Sequence, residues 1–192
     1  TNGYDLRRKP VNRNIDNTNK ITLVHCGSIR WSASELLTNF LKVVKNDYLN
    51  EIEVKFFGTN PFSIIDEELA ETLKNTISYH GYVCEKEMLS EIEKSSGVLM
   101  FFEKKNGIGT KIFDYMMCNK PCFSFSPKGD LYSFINSQGM VASTGDEKEI
   151  TQNFDEFIKK IRDNTVWNKE KIKEFDFENI ANKIREIISE RK

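Results

Sequence analysis

No stretch of this 192-residue sequence is apolar over enough residues to cross a bilayer, and it carries no signal peptide, so a cytoplasmic location is expected. Basic excess is missing too: 28 Lys and Arg stand against 29 Asp and Glu, a net charge of −1. A general binder of nucleic acid or acidic membranes needs such an excess, so both classes are set aside, while a local basic pocket stays open. Cysteine is sparse and has no C-x-x-C spacing. Cys26, Cys84, Cys118 and Cys122 lie in or beside expected strands and a helix, which reads as buried small hydrophobes in a reducing compartment rather than metal ligands or disulfides. The two histidines, His25 and His80, have no partner at helical i+4 spacing, so no metal site is expected. Neither a Ser-His-Asp nor a Cys-His nucleophile arrangement is visible. A G-x-G-x-x-G after the first expected strand is also lacking, which argues against a dinucleotide site.

What is present is an alternation of β and α patterns that runs almost without interruption from Ile21. A chain of this length buries about 70% of its unfolded surface. Short apolar runs of strand length occur at Ile21–Cys26, Glu53–Gly58, Thr76–Tyr79, Gly97–Phe102, Cys122–Phe125 and Gly139–Ser143. Between them lie amphipathic helical patterns. One carries Leu36, Leu37, Phe40, Leu41 and Val44, with Ser32 or Ser34 as its expected cap; others span Glu67–Lys74, Glu85–Lys94, Asp130–Ser137 and Glu147–Asp163. A final helix places Phe177, Ile180, Ile184, Ile187 and Ile188 on one face, and is the element expected to reach another domain. The expectation is one α/β domain, a doubly wound, Rossmann-like parallel sheet of about six strands with helices on both faces. Residues 1–20 are polar and aperiodic and read as a connection. The chain starts without methionine, as a piece of something longer would.

Residues 106–125 organise the rest. Gly107 and Gly109 form a loop, Thr110–Cys118 an amphipathic helix, and Asn119-Lys120-Pro121 ends that helix because proline cannot continue it. With the strand before and the strand after, this is a strand, glycine loop, helix, strand unit, which gives a parallel pair and a right-handed crossover. Two further glycine loops, Gly27-Ser28 and His80-Gly81, also follow strands. All three then open on the carboxyl edge of the sheet, where open α/β folds bind ligands. Bare N–H groups at a helix start attract anions, so the set suggests a nucleotide or sugar-phosphate site. Singly, each is ordinary turn chemistry. Asp114, one turn into the helix, can accept two sugar hydroxyls or be a solvated acid favoured by the helix dipole. Lys111 and Arg30 can neutralise a diphosphate or be solvated surface charges.

These motifs, in this order, resemble the C-terminal, donor-binding half of retaining GT-B glycosyltransferases, the group 1 or family 4-like type. Asn2-Gly3-Tyr4-Asp5 matches the N-G-x-D leading out of that family's N-terminal acceptor domain. Ile21 to Arg30 matches its first strand and glycine turn, and His80-Gly81-Tyr82-Val83 the segment that meets the base. Gly109-Thr-Lys-Ile-Phe-Asp-Tyr-Met-Met-Cys-Asn-Lys-Pro121 resembles P-T-K-L-x-E-Y-x-A-x-G-K-P. The resemblance implies a nucleotide-diphosphate sugar donor, transfer with retention to a glycan or other acceptor, a role in polysaccharide biosynthesis, and no metal cofactor. It implies that Gly27, Ser28, Arg30, Gly107, Gly109, Thr110 and Lys111 meet the phosphates or donor sugar, that Tyr82 and Val83 line the base pocket, and that Asp114 holds the ribose. It also implies an acceptor domain outside residues 21–192, without which this chain is not a competent transferase, and membrane association only through that other half.

The departures are specific. The family's E-x7-E is Asn106-x7-Asp114 here, so the position of the first glutamate, which supports catalysis, carries an uncharged amide. Gly109 stands for the proline, and Ser32-Ala33-Ser34 stands where a lysine is usual. A second expectation follows: a glycosyltransferase-like domain that has lost catalysis and serves as a binding or scaffold module.

Overall fold

The computed structural model describes Asp5 and residues 20–189. The reading of residues 1–20 as a connection, and the match at residues 2–5, therefore lie outside the described residues apart from Asp5 and Lys20. Six strands form one sheet: β1 (Ile21–Gly27), β2 (Ile52–Gly58), β3 (Ile77–Tyr79), β4 (Gly97–Phe101), β5 (Cys122–Phe125) and β6 (Val141–Ser143). Their order is β3-β2-β1-β4-β5-β6 and every pairing is parallel. That is the doubly wound order, with its reversal between β1 and β4. The central strands β4 and β5 are buried along their whole length. Continuous apolar runs such as Gly97–Phe101 are what a sheet covered on both faces requires.

Helices α1 (Ser34–Val43), α2 (Glu67–Leu73) and α6 (Glu147–Arg162) cover one face; α3 (Glu85–Lys94), α4 (Lys111–Met117) and α5 (Asp130–Ser137) cover the other. The first face is held by a cluster of phenylalanines. Phe40 lies 5.2 Å from Phe125 and 5.4 Å from Phe154, and Phe123 meets Phe154 edge-on at 5.3 Å. Ring pairs in such geometries add about 0.5–1.5 kcal/mol each beyond the area they bury. Asp146 caps α6 through the N–H groups of Lys148 and Glu149, as the Thr144-Gly145-Asp146 turn predicts. After α6 the chain crosses to the second face. Trp167 is fully buried there, and its indole N–H donates to the Lys120 carbonyl at 2.6 Å. A short helix, α7 (Lys169–Lys173), follows, then α8 (Phe177–Ser189).

Two expectations need correction, and one feature was not anticipated. Neither Ser32 nor Ser34 caps α1: a 3-10 turn over Trp31–Ala33 feeds the helix, Ala33 stands at its N-cap, and no side chain bonds to its first turn. Cys84 is exposed at the start of α3, whereas Cys26, Cys118 and Cys122 are buried. The crossing of the chain through Trp167 and α7 has no counterpart in the helical and strand patterns. No helix among the described residues is long and apolar enough to cross a membrane.

Candidate functional site

Because the six strands are parallel, the loops after β1, β3 and β4 leave the sheet at one edge. Between the ends of β1, β2 and β3 this edge holds a cleft of about 220 Å³. Cys26 and Gly27 of β1 and Phe57 and Gly58 of β2 form its floor. Tyr82 and Val83 form one wall, and Met88 of α3 with Lys111 of α4 close the other. Of the residues expected at the site, the cleft thus gathers Gly27, Tyr82, Val83 and Lys111. Ser28, Arg30, Asn106, Gly107, Gly109, Thr110 and Asp114 do not line it.

The floor is tight. Gly58 has φ +104°, and a Cβ there would stand 2.7 Å from the Gly27 carbonyl oxygen, so only glycine fits without displacing β1. Its N–H donates to the Gly81 carbonyl at 2.8 Å, which joins β2 to the segment after β3. Thr59 staples the neighbouring loop: its hydroxyl accepts from the Ile29 N–H at 2.6 Å and donates to the Gly27 carbonyl at 3.3 Å. Within the floor, Cys26 is almost fully buried, and desolvation pushes its thiol up to about 12. It is therefore a neutral wall and not a nucleophile. Burial also raises the Tyr115 phenol well above its ordinary range; its hydroxyl donates to the Leu99 carbonyl at 3.3 Å.

The charged side of the cleft belongs to α4. The Lys111 ammonium sits 2.9 Å from the Met88 sulfur and 3.4 Å from an Asp114 carboxylate oxygen. Asp114 is 9% exposed, so it is a largely buried acid tied to its helix neighbour and not a solvated one. Thr110 precedes α4 without a side-chain bond to its first turn, and the Ile112 and Phe113 N–H groups donate instead to the Gly109 and Thr110 carbonyls at 3.2 and 3.1 Å.

The glycine loop lies beside the cleft. Gly107 donates its N–H to the Asp130 carboxylate at 2.7 Å, and the Asp130 N–H donates to the Lys105 carbonyl at 2.9 Å. Asn106 is exposed at the tip of the loop. Across the β1 and β4 ends, Arg30 pairs with Glu103 at 3.3 Å, and Ser28 is exposed. His25 is buried one residue before Cys26, with its Nδ1 3.1 Å from the Leu99 carbonyl. A carbonyl only accepts, so Nδ1 carries the proton. Desolvation lowers the imidazole to about 4, which keeps it neutral at physiological pH. Among the described residues no group of three or more His, Cys, Asp or Glu side chains is placed to hold a metal ion.

Residues 20–160 match the family described as Glycosyl transferases group 1. The chain belongs to that family. No curated protein matches it. Solved structures share its fold at low identity. Anabaena HepE in complex with UDP superposes with a TM-score of 0.69 at 16% identity, over 98% of this chain and 56% of that one. Sucrose-phosphate synthase from Thermosynechococcus elongatus gives 0.69 at 12% identity, over 98% and 51%. The lipopolysaccharide outer core galactosyltransferase WaaB, in its apo form, gives 0.64 at 10% identity, over 100% and 55%. These are GT-B glycosyltransferases, and the chain has the Rossmann-like α/β architecture of one half of that fold. It spans about half the length of the solved proteins it resembles.

In this group 1 glycosyltransferase chain, sequence reasoning passed over Phe57, Gly58, Met88, Glu103 and Asp130. Phe57-Gly58 repeats the signature that drew attention to Gly27, a strand ending on glycine, and could have been found by the same rule. Met88 gave no such signal, since on an amphipathic helix it reads as one more core residue. Glu103 and Asp130 act through pairings that only the folded chain creates.

Proposed function

We propose that residues 21–192 form the nucleotide-sugar binding half of a retaining glycosyltransferase, with residues 1–20 leading to an acceptor-binding half. The observation that supports this most is the cleft at the sheet's carboxyl edge, next to the β1/β4 reversal, closed by a lysine and flanked by a buried acid. The donor is a nucleotide-diphosphate sugar. HepE has been solved with UDP and with UDP-glucose, which favours a uridine nucleotide. In this reading Tyr82 and Val83 hold the base, with Phe57 and Met88 supplying apolar area. Asp114 takes the ribose hydroxyls. Lys111 leaves Met88 and Asp114 to meet the diphosphate together with the backbone at Gly27, Ser28, Gly109 and Thr110. Charge on the leaving diphosphate is then balanced by protein groups and not by a metal. The acceptor is a glycan, the reaction belongs to polysaccharide assembly in the cytoplasm, and any membrane contact runs through the other half.

A second reading, a binding module without catalysis, is favoured by one feature: Asn106 supplies no carboxylate at the loop tip. The two readings share the nucleotide site and differ in turnover. Calorimetry with UDP, GDP, ADP and their sugars tests the shared part. One nucleotide should bind, and Lys111→Ala or Asp114→Ala should weaken it about tenfold to a hundredfold, the worth of one charge-assisted hydrogen bond. If no nucleotide binds either this chain or a longer one joined to its acceptor half, the donor assignment fails. Binding without glycosyl transfer in the longer protein selects the second reading.

A further inference from the structure

We propose that Trp31 is the stacking face of a second subsite, one that takes the pyranose ring of a carbohydrate, on the α1 side of the sheet's carboxyl edge. The proposal rests on the glycosyltransferase reading and adds a residue with no part in the nucleotide cleft.

Of the two tryptophans in the chain, Trp167 is fully buried with its N–H satisfied, whereas Trp31 is 77% exposed. An exposed apolar residue is by itself unremarkable on a protein surface. Two features separate Trp31 from that background. First, its position is fixed. The preceding Ile29 is buried and its N–H is held by Thr59; the following Ala33 is buried and its N–H donates to the Arg30 carbonyl at 2.8 Å. The indole therefore rides on a turn anchored on both sides, which lowers the ordering cost of binding against it. Second, its neighbours are polar in the way a sugar requires. Arg30, next in the chain, is paired with Glu103 of the loop after β4, so a planar cation and a carboxylate stand together beside the indole's turn. A pyranose has apolar C–H faces and a rim of hydroxyls. An indole accepts the face, its N–H can donate to the rim, and an Arg–Glu pair both donates to and accepts from hydroxyls.

Placement supports the same conclusion. Trp31 enters α1, on the face built around Phe40 and Phe154, whereas the cleft wall at Phe57 and Met88 belongs to the opposite face. The ends of β1 and β4 lie between them. A sugar at Trp31 is thus next to the phosphate end of the cleft and not within the base pocket. Two sources offer this chemistry: the sugar of the nucleotide donor, and a sugar of the glycan acceptor.

The test uses the chain as it stands. Saturation-transfer NMR and Trp emission would be recorded with methyl α-glucoside and maltotriose, and separately with UDP and UDP-glucose. Expected is quenching of the exposed, red-shifted Trp31 emission while the Trp167 component stays constant. Quenching by the free glycosides assigns the subsite to the acceptor; quenching by UDP-glucose but not UDP assigns it to the donor sugar. Trp31→Ala should weaken the effective sugar about tenfold, Trp31→Phe should retain most of the affinity, and both should bind UDP like the parent chain. Circular dichroism confirms folding of each variant. Sugar binding that is unchanged in Trp31→Ala, or no sugar that affects Trp31 at all, overturns the subsite; intact UDP binding in the same samples leaves the donor cleft standing. Failure of UDP alone counts against a uridine donor and leaves the donor reading to the full nucleotide panel, while the glycoside titration still decides on Trp31.

Discussion

The backbone N–H of Gly107 donates to the carboxylate of Asp130 over 2.7 Å, across 23 residues of chain. This bond ties the glycine loop after β4 to the turn that opens α5. Gly129 makes the approach possible, because a Cβ there would stand 2.1 Å from the Lys105 carbonyl oxygen. The consequence is that one loop amide expected to face a phosphate already has an anionic partner.

Replacing that partner should free the loop. Asp130→Ala removes the acceptor and a favourable charge in the first turn of α5, a loss of about 1 kcal/mol. Amide exchange should quicken at Gly107 while the core strands are unaffected. Asp130→Asn keeps an acceptor and should restore most of the protection. Unchanged exchange at Gly107 in Asp130→Ala would mean that the loop is held by other contacts.

At the floor of the cleft, Gly58→Ala meets two obstacles. Its φ of +104° is unfavourable for any L side chain, and the new methyl would press on the Gly27 carbonyl. Backbone strain of this kind costs about 1–3 kcal/mol, and the collision adds to it. The expected result is a lower denaturation midpoint together with weaker nucleotide binding. An equally large effect from alanine at Gly139 is not expected at the steric level, because nothing lies within 4 Å of a Cβ there.

Much of this architecture was legible in the sequence. Strand runs and helical stripes place all six strands and seven of the eight described helices, since burial on two faces leaves continuous apolar runs and burial on one leaves a 3.6-residue period. The exception proves physical: α7 is too short to show a period, and Trp167 is buried by a chain crossing rather than by an element. The cleft was legible in part. Gly27, Tyr82, Val83 and Lys111 follow strand ends or open a helix, and those positions are set by topology. Pairings such as Arg30 with Glu103 and Lys111 with Met88 depend on side-chain reach between distant segments, which no local pattern encodes.

The last helix is amphipathic, and among the described residues nothing buries its apolar face. In α8, Phe177, Ile184, Ile187 and Ile188 are 45–57% exposed and none of its residues is buried. A helix of 13 residues gains little from propensity alone and depends on packing. In the isolated chain its amides should exchange orders of magnitude faster than those of α6, whose Phe154, Phe157 and Ile158 are buried. Covalent joining to the acceptor half should slow them, if that half supplies the missing surface. Strong protection in the isolated chain would show that the helix is stable without it.

His25 gives the chain an acid sensitivity that can be read directly. Its folded pKa of about 4 lies below the ordinary imidazole value of 6.5 because burial opposes the charged ring. Between those values the unfolded chain binds a proton that the folded chain refuses. Stability is therefore full above pH 6.5, falls as pH drops toward 4, and shows no further loss from this residue below it. The gap corresponds to about 3 kcal/mol. The ring packs between Phe56 at 5.9 Å and Phe101 at 5.2 Å, so His25→Phe is close in shape. It gives up the bond to the Leu99 carbonyl, a loss of about 1 kcal/mol at neutral pH. In exchange it should flatten the dependence of stability on pH from 6.5 to 4. Urea denaturation at half-unit pH steps compares the two slopes; parallel curves would show that other groups, and not His25, carry the acid response.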